Sequence, residues 1–267
     1  MKIAQISDLH FGCTAPDVVT ALRDALHTLG VDLVIASGDL TQDGTAAEFA
    51  EARAFFDSLN PPILAIPGNH DLPGMDLRRF IDPFARYRRA IATDLEPDRR
   101  TGLVDIKGLN SARMILPHPN WANGAVSARQ CDDIESFFAA STAPWRMVVL
   151  HHPLVTSPEL PLDTAVFGRQ RALDTLARQR VDLVLAGHQH HAFADPVLRG
   201  GHTTVFVNAS TATSTRLRKQ PNGFNLLEFT PADVRISQLR YAANGFEVFS
   251  VLSHHKGTTE GAPAWAH

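Results

Sequence analysis

The chain has 267 residues, 25 lysines and arginines against 28 aspartates and glutamates, and a net charge of −3. That length buries a core without metal or disulfide staples, and two cysteines, Cys13 and Cys131, are too few for a disulfide framework or a thiolate zinc site. The weak charge removes any electrostatic case for nucleic acid or an anionic membrane as partner, and the polar start MKIAQISDLHFG, with no apolar run near ~20 residues, predicts a soluble cytoplasmic protein.

Residues 3–6 read as a first strand. Pro16 and Asp17 open a helix with Val18, Leu22, Ala25, Leu26 and Leu29 on one stripe, stopped by Gly30. Residues 33–36 are a second strand. Thr45 and Glu48 form a capping box for a helix that turns Phe49, Ala52, Phe55, Phe56 and Leu59 inward, and Asn60-Pro61-Pro62 ends it. A third strand follows at 63–66. Residues 72–100 read as an insertion or lid, in which seven arginines face five acids between 76 and 100. Ser127 and Gln130 box another helix, and a strand at 147–150, a helix near 170–179 and a strand at 181–185 continue the alternation. Strand-like runs at 203–207, 224–229, 234–239 and 246–252, separated by turns such as PNG, are expected to pair antiparallel. The fold class is therefore α/β, with one domain over 1–252 and a loose tail over 253–267.

The chemistry lies at the strand ends. The first strand is followed by Asp8-Leu9-His10, the second by Gly38-Asp39, the third by Gly68-Asn69-His70-Asp71. The strand at 147–150 leads into His151-His152-Pro153, and that at 181–185 into Gly187-His188-Gln189-His190. In an open α/β sheet ligands bind beyond the carboxyl ends of the strands, so these residues are expected to converge on one site. Carboxylates, imidazoles and one amide oxygen, without thiolates, suit manganese, iron or zinc. Seven such groups exceed the needs of one ion with an open position, whereas two ions sharing a carboxylate use them all, an arrangement suited to hydrolysis.

The ordered run D-x-H, G-D, G-N-H-D, H-H-P, G-H-x-H resembles the calcineurin-like metallophosphoesterase superfamily over roughly residues 1–230. SGDLTQDGTAAEF with PGNHD and HHP is similar to its bacterial cyclic-nucleotide and glycerophosphodiester phosphodiesterases. The resemblance implies a four-layer sandwich of two mixed β-sheets flanked by helices. It implies that Asp8, His10 and His190 hold one metal ion, that Asn69, His151 and His188 hold another, and that Asp39 bridges them. His70 matches the family's non-ligand histidine near the leaving group. The function so implied is hydrolysis of a small phosphodiester by attack of metal-bound hydroxide. A phosphomonoesterase, a nuclease and a non-catalytic scaffold are the competing readings, and a homo-oligomer is left open. Leu72 stands where several relatives carry a second acid.

Other polar residues are expected to serve structure. His152 and His191 neighbour ligands but point elsewhere, Asp43 and Asp71 brace loops, with Asp71 also placed to orient His70, and Cys13 is a small buried residue. His254, His255 and His267 fall in the tail as solvated side chains. Arg216 and Arg218, in STATSTRLR, read either as contacts to substrate phosphate or as part of a surface hairpin.

Overall fold

In β1 (Lys2–Ile6), Ile3 faces one apolar core while Ala4 and Ile6 face another, the alternation of a pleated strand covered on both sides. The computed structural model describes residues 1–74, 81–114, 120, 122–156, 165–243 and 245–257. The same two-sided burial recurs in β2 (Leu33–Ser37), β3 (Ile63–Ile66), β7 (Trp145–Leu150) and β9 (Leu183–Ala186). Leu33, Ile35, Leu64 and Ile66 meet Trp145, Met147, Val149, Leu183 and Leu185 in a core between two sheets.

The first sheet has the order β14-β13-β12-β1-β2-β3, where β12 is Gly223–Phe229, β13 Asp233–Ala242 and β14 Gly245–His255. Strands β1 to β3 run parallel and the late strands antiparallel. The second sheet has the order β10-β11-β9-β7-β5-β4, with β4 at Asp98–Arg100, β5 at Val104–Leu109, β10 at Phe193–Arg199 and β11 at His202–Asn208. A two-stranded parallel ribbon joins β6 (Gly124–Ala125) to β8 (Val166–Phe167). Helices α1 (Pro16–Leu29), α2 (Ala46–Asp57) and α3 (Ala85–Ala90) contribute Leu22, Phe49 and Tyr87 to the outer core of the first sheet. Helices α4 (Ala128–Ala139) and α5 (Arg169–Arg178) cover the second with Ile134, Phe138 and Leu173. Helix, sheet, sheet, helix is the expected layering.

Local signals behave as their chemistry requires. Pro16 starts α1, Gly30 ends it at φ +58°, and Thr45 with Glu48 and Ser127 with Gln130 form complete capping boxes. Four expectations change. Residues 203–207 pair parallel with β9, not antiparallel, although β11 is antiparallel to β10. Residues 98–100 of the expected insertion are an edge strand, Tyr87 is buried in the outer core of the first sheet and Phe84 in a small cluster with Leu72 and Ala112; residues 75–80 lie outside the described residues. The strand β14 runs to His255, past the expected start of the tail at 253. His254 is accordingly buried, its ring 6.3 Å from that of Trp145, while His255 pairs with Asp233 at the surface; His267 lies outside the described residues. No described helix is long and apolar enough to cross a membrane.

Trp145 ties the layers together: it is fully buried, packs edge-on against Phe229 at 5.7 Å and donates its Nε1–H to the Thr230 carbonyl at 2.7 Å. Trp145→Ala is expected to cost about 3–5 kcal/mol, read as a lowered urea midpoint with an unchanged slope.

Candidate metal centre

The chain bends sharply as it leaves β1, β2 and β9. Asp8, His10, Asp39, His188 and His190 all adopt left-handed backbone conformations, with φ of +52°, +51°, +51°, +69° and +52°. Main-chain hydrogen bonds hold them there: Asp8 N–H donates to Gly38 O, His10 N–H to Asp39 O and Gly187 N–H to His151 O. Gly187 is required by close approach, since a Cβ there would collide with Ser7 Oγ and stand 2.5 Å from Asp8 Oδ2.

These turns aim the side chains at one place. Ligand-type atoms of Asp8, His10 and His190 lie within 4.8 Å of one another, as do those of Asp8, Asp39 and His151. His190 Nε2 is 3.1 Å from both Asp8 Oδ1 and His10 Nε2. Across the site, His151 Nε2 is 3.2 Å from Asp39 Oδ2 and 3.3 Å from His188 Nδ1. Asp8, His10, Asp39, His151, His188 and His190 are all buried. Asn69 is buried between Gly68 and His70, and its Oδ1 has no donor among the described residues.

The hydrogen bonds fix which atoms remain available. His190 Nδ1 and His151 Nδ1 lie 2.8 Å from the Arg216 and Ser37 carbonyls, which accept only, so both rings carry hydrogen on Nδ1 and turn their Nε2 inward. Each carboxylate spends one oxygen on a main-chain N–H: Asp8 Oδ2 accepts from His188 N at 2.9 Å and Asp39 Oδ1 from His70 N at 2.8 Å. Their other oxygens face the imidazoles, and Asp8 Oδ1 has no donor among the described residues. Inward lone pairs, a donorless carboxylate oxygen and a donorless amide oxygen fit a cation centre of nitrogen and oxygen ligands.

Charge follows the same pattern. Burial pushes His10 and His188 down to about 3, leaving both neutral. Burial would raise Asp8 and Asp39, but His190 beside the first and His151 and His70 beside the second hold both below the usual carboxylate range. Burial would also depress His151, yet Asp39 and Asp8 outweigh it and raise the ring to about 9. The centre therefore draws positive charge into a buried place.

Around this set, His70 is half-buried, its Nδ1–H donating to Gln42 O at 2.7 Å and its ring edge-on to His10 at 4.8 Å. It lies close enough to His10 and Asp39 to form a ligand group with them. Asp71 braces the loop as expected, accepting from Gly68 N, Thr41 N and Thr41 Oγ1, and it is raised to about 6 by burial and by Asp39. Asp43 is exposed, and its main-chain N–H donates to Glu48. His152 bonds Ser111 Oγ through Nδ1, and its ring also groups with His151 and His188. The His191 carbonyl accepts from Asn208. Cys13 is half-buried and lies 3.1 Å from Thr215 Oγ1. Within 210–218, residues 210–214 are a buried strap while 215–217 are exposed, and the strap brings Arg216 beside His70; no spacing rule announces this.

Comparisons with known proteins agree with this geometry. The chain is 28% identical over 253 residues to a probable cyclic nucleotide phosphodiesterase of Synechococcus sp., covering 90% of this chain and 92% of that protein. It is 25% identical over 206 residues to the 3',5'-cyclic adenosine monophosphate phosphodiesterase CpdA of Escherichia coli, covering 71% and 70%. Among solved structures, a purple acid phosphatase from yellow lupin (Lupinus luteus) shares the fold at a TM-score of 0.73 and 13% identity, over 95% of this chain and 53% of its own. The calcineurin-like phosphoesterase family model matches residues 1–192, so the chain belongs to that family and is a metal-dependent phosphoric ester hydrolase.

Proposed function

We propose that the protein is a binuclear-metal phosphodiesterase acting on a small phosphodiester of the cyclic-nucleotide or glycerophosphodiester type. Asp39 carries this reading: its Oδ2 stands 3.2 Å from His151 Nε2 and 3.8 Å from His10 Nε2, one oxygen between two groups of donors. Asp8, His10 and His190 would hold one ion, Asn69, His151 and His188 the other, and Asp39 both. When bound, such a pair of manganese, iron or zinc ions supplies positive charge to the phosphate and a nucleophile near neutral pH.

The protein's own groups position and protonate. The Ser37 and Arg216 carbonyls keep His151 and His190 in the ligating tautomer. His70, held through Nδ1–H by the Gln42 carbonyl, presents Nε2 as the atom that handles a proton at the departing alkoxide. The two cyclic-nucleotide relatives support a diester over a monoester, and the net charge of −3 speaks against a nucleic-acid groove.

Asp39→Ala is expected to lose bound metal and activity together, measured as metal content of protein purified without chelator; two ions retained per chain would remove the bridging assignment. For His70→Ala the expectation is unchanged metal content and turnover lower by roughly 10²- to 10⁴-fold, with the larger loss on diesters that have poor leaving groups. Gly187→Ala should displace the Asp8 carboxylate and lower metal content without unfolding the protein, checked by metal analysis beside circular dichroism. Manganese-loaded enzyme should cleave cyclic nucleotides, glycerophosphodiesters or bis(p-nitrophenyl) phosphate faster than p-nitrophenyl phosphate, and the opposite order would make it a monoesterase.

A further inference from the structure

We propose that Arg216 is a substrate-binding residue of this centre, its guanidinium gripping a non-bridging oxygen of the phosphodiester on the His70 side. The inference rests on the diesterase reading and names a contact that the metal set does not supply. It begins with the strap after β11. Ser210, Thr211, Ala212, Thr213 and Ser214 are buried, and they are stitched to the loop after β1. Thr211 Oγ1 donates to Asp8 O at 2.6 Å, Ala212 N–H to Ser7 O at 2.9 Å and Thr213 Oγ1 to Leu9 O at 2.7 Å. The strap ends as Thr215 N–H meets Cys13 O and Arg216 N–H meets Ser214 Oγ. Its course is thus fixed by the same loop that carries Asp8 and His10.

At Arg216 main chain and side chain divide the work. The main-chain carbonyl takes the His190 Nδ1–H, so the structural duty of this position needs no particular side chain. The guanidinium is exposed and reaches back over the site, with Nη1 3.2 Å from Gln42 Oε1 and 3.3 Å from His70 Nε2. Both contacts are long, and exposed contacts of this kind add little stability. Among the described residues no carboxylate pairs with Arg216, and its Nε and Nη2 donate to no protein acceptor. A planar cation with free donors, fixed at the rim of a cation centre beside the histidine assigned to the leaving group, matches the paired oxygens of a phosphate. Of the acids adjacent in sequence to its contacts, Asp71 is engaged by Thr41 and Gly68, and Asp43, beside Gln42, is exposed and makes no ion pair with Arg216 among the described residues.

The test uses full-length manganese-loaded protein with Arg216→Ala and Arg216→Lys. Expected are metal content equal to the parent, a KM for the diester and a calorimetric Kd for inorganic phosphate both raised about 10- to 100-fold in Arg216→Ala, and a smaller rise in Arg216→Lys. Unchanged KM and phosphate affinity would overturn the assignment. Metal loss in both variants would make the position structural and overturn it as well. A parent protein that cleaves no diester, yet loses phosphate affinity on Arg216→Ala, would remove the diesterase reading while supporting the phosphate contact.

Discussion

Asp8 and Asp39 bring two carboxylates into a place almost closed to water, with ligand oxygens within 4.8 Å of each other. A low-dielectric interior tolerates such a pair only where positive charge stands against it, because bringing one ionised carboxylate out of water without a partner already costs several kcal/mol. Among the surrounding groups the raised imidazole of His151 answers part of that demand, and the lone pairs of the neutral His10 and His188 suit a cation that would answer the rest. The apolar core between the two sheets brings the ends of β7 and β9, with their histidines, up to the ends of β1 and β2.

The backbone bears a cost for it. Five of the eight non-glycine residues with positive φ among the described residues are Asp8, His10, Asp39, His188 and His190. Each such conformation costs on the order of 1–3 kcal/mol and persists only where its surroundings over-determine it. Here the over-determination is visible. Buried strands on both sides hold the chain up to the turn, and main-chain bonds such as Asp8 N–H to Gly38 O clamp the turn itself. Concentrating strain at one end leaves the interiors of the strands regular, which is where the cores form.

Much of this was legible from residue order, and the losses have physical causes. Strands covered on both faces read as short apolar runs, so β1, β2, β3, β7 and β9 stand out. β5 does not, since Asp105 and Lys107 interrupt it; in the fold they are paired with Arg100 and Asp98. β10 hides behind Asp195 and Pro196, the latter tolerated because the strand is at the sheet edge. β11 is parallel to β9 through a crossover, which local turn signals cannot reveal. At the centre, residue types after each strand announced the donors. Their tautomers were not readable, because the carbonyls of Ser37, Gln42 and Arg216 that set them belong to the main chain and leave no mark on composition.

The pairing of β1 with β12 joins residues more than 200 positions apart, and the strap before β12 locks the same loop. A ribosome delivers β1 more than 200 residues before β12. Until residues 188–229 have emerged, the nascent chain holds Asp8 and His10 in the loop after a strand with one edge open and no His188 or His190 to face. Completion of the centre thereby waits for those later residues, and a chain that has not yet reached them has no complete pocket with which to trap ions prematurely.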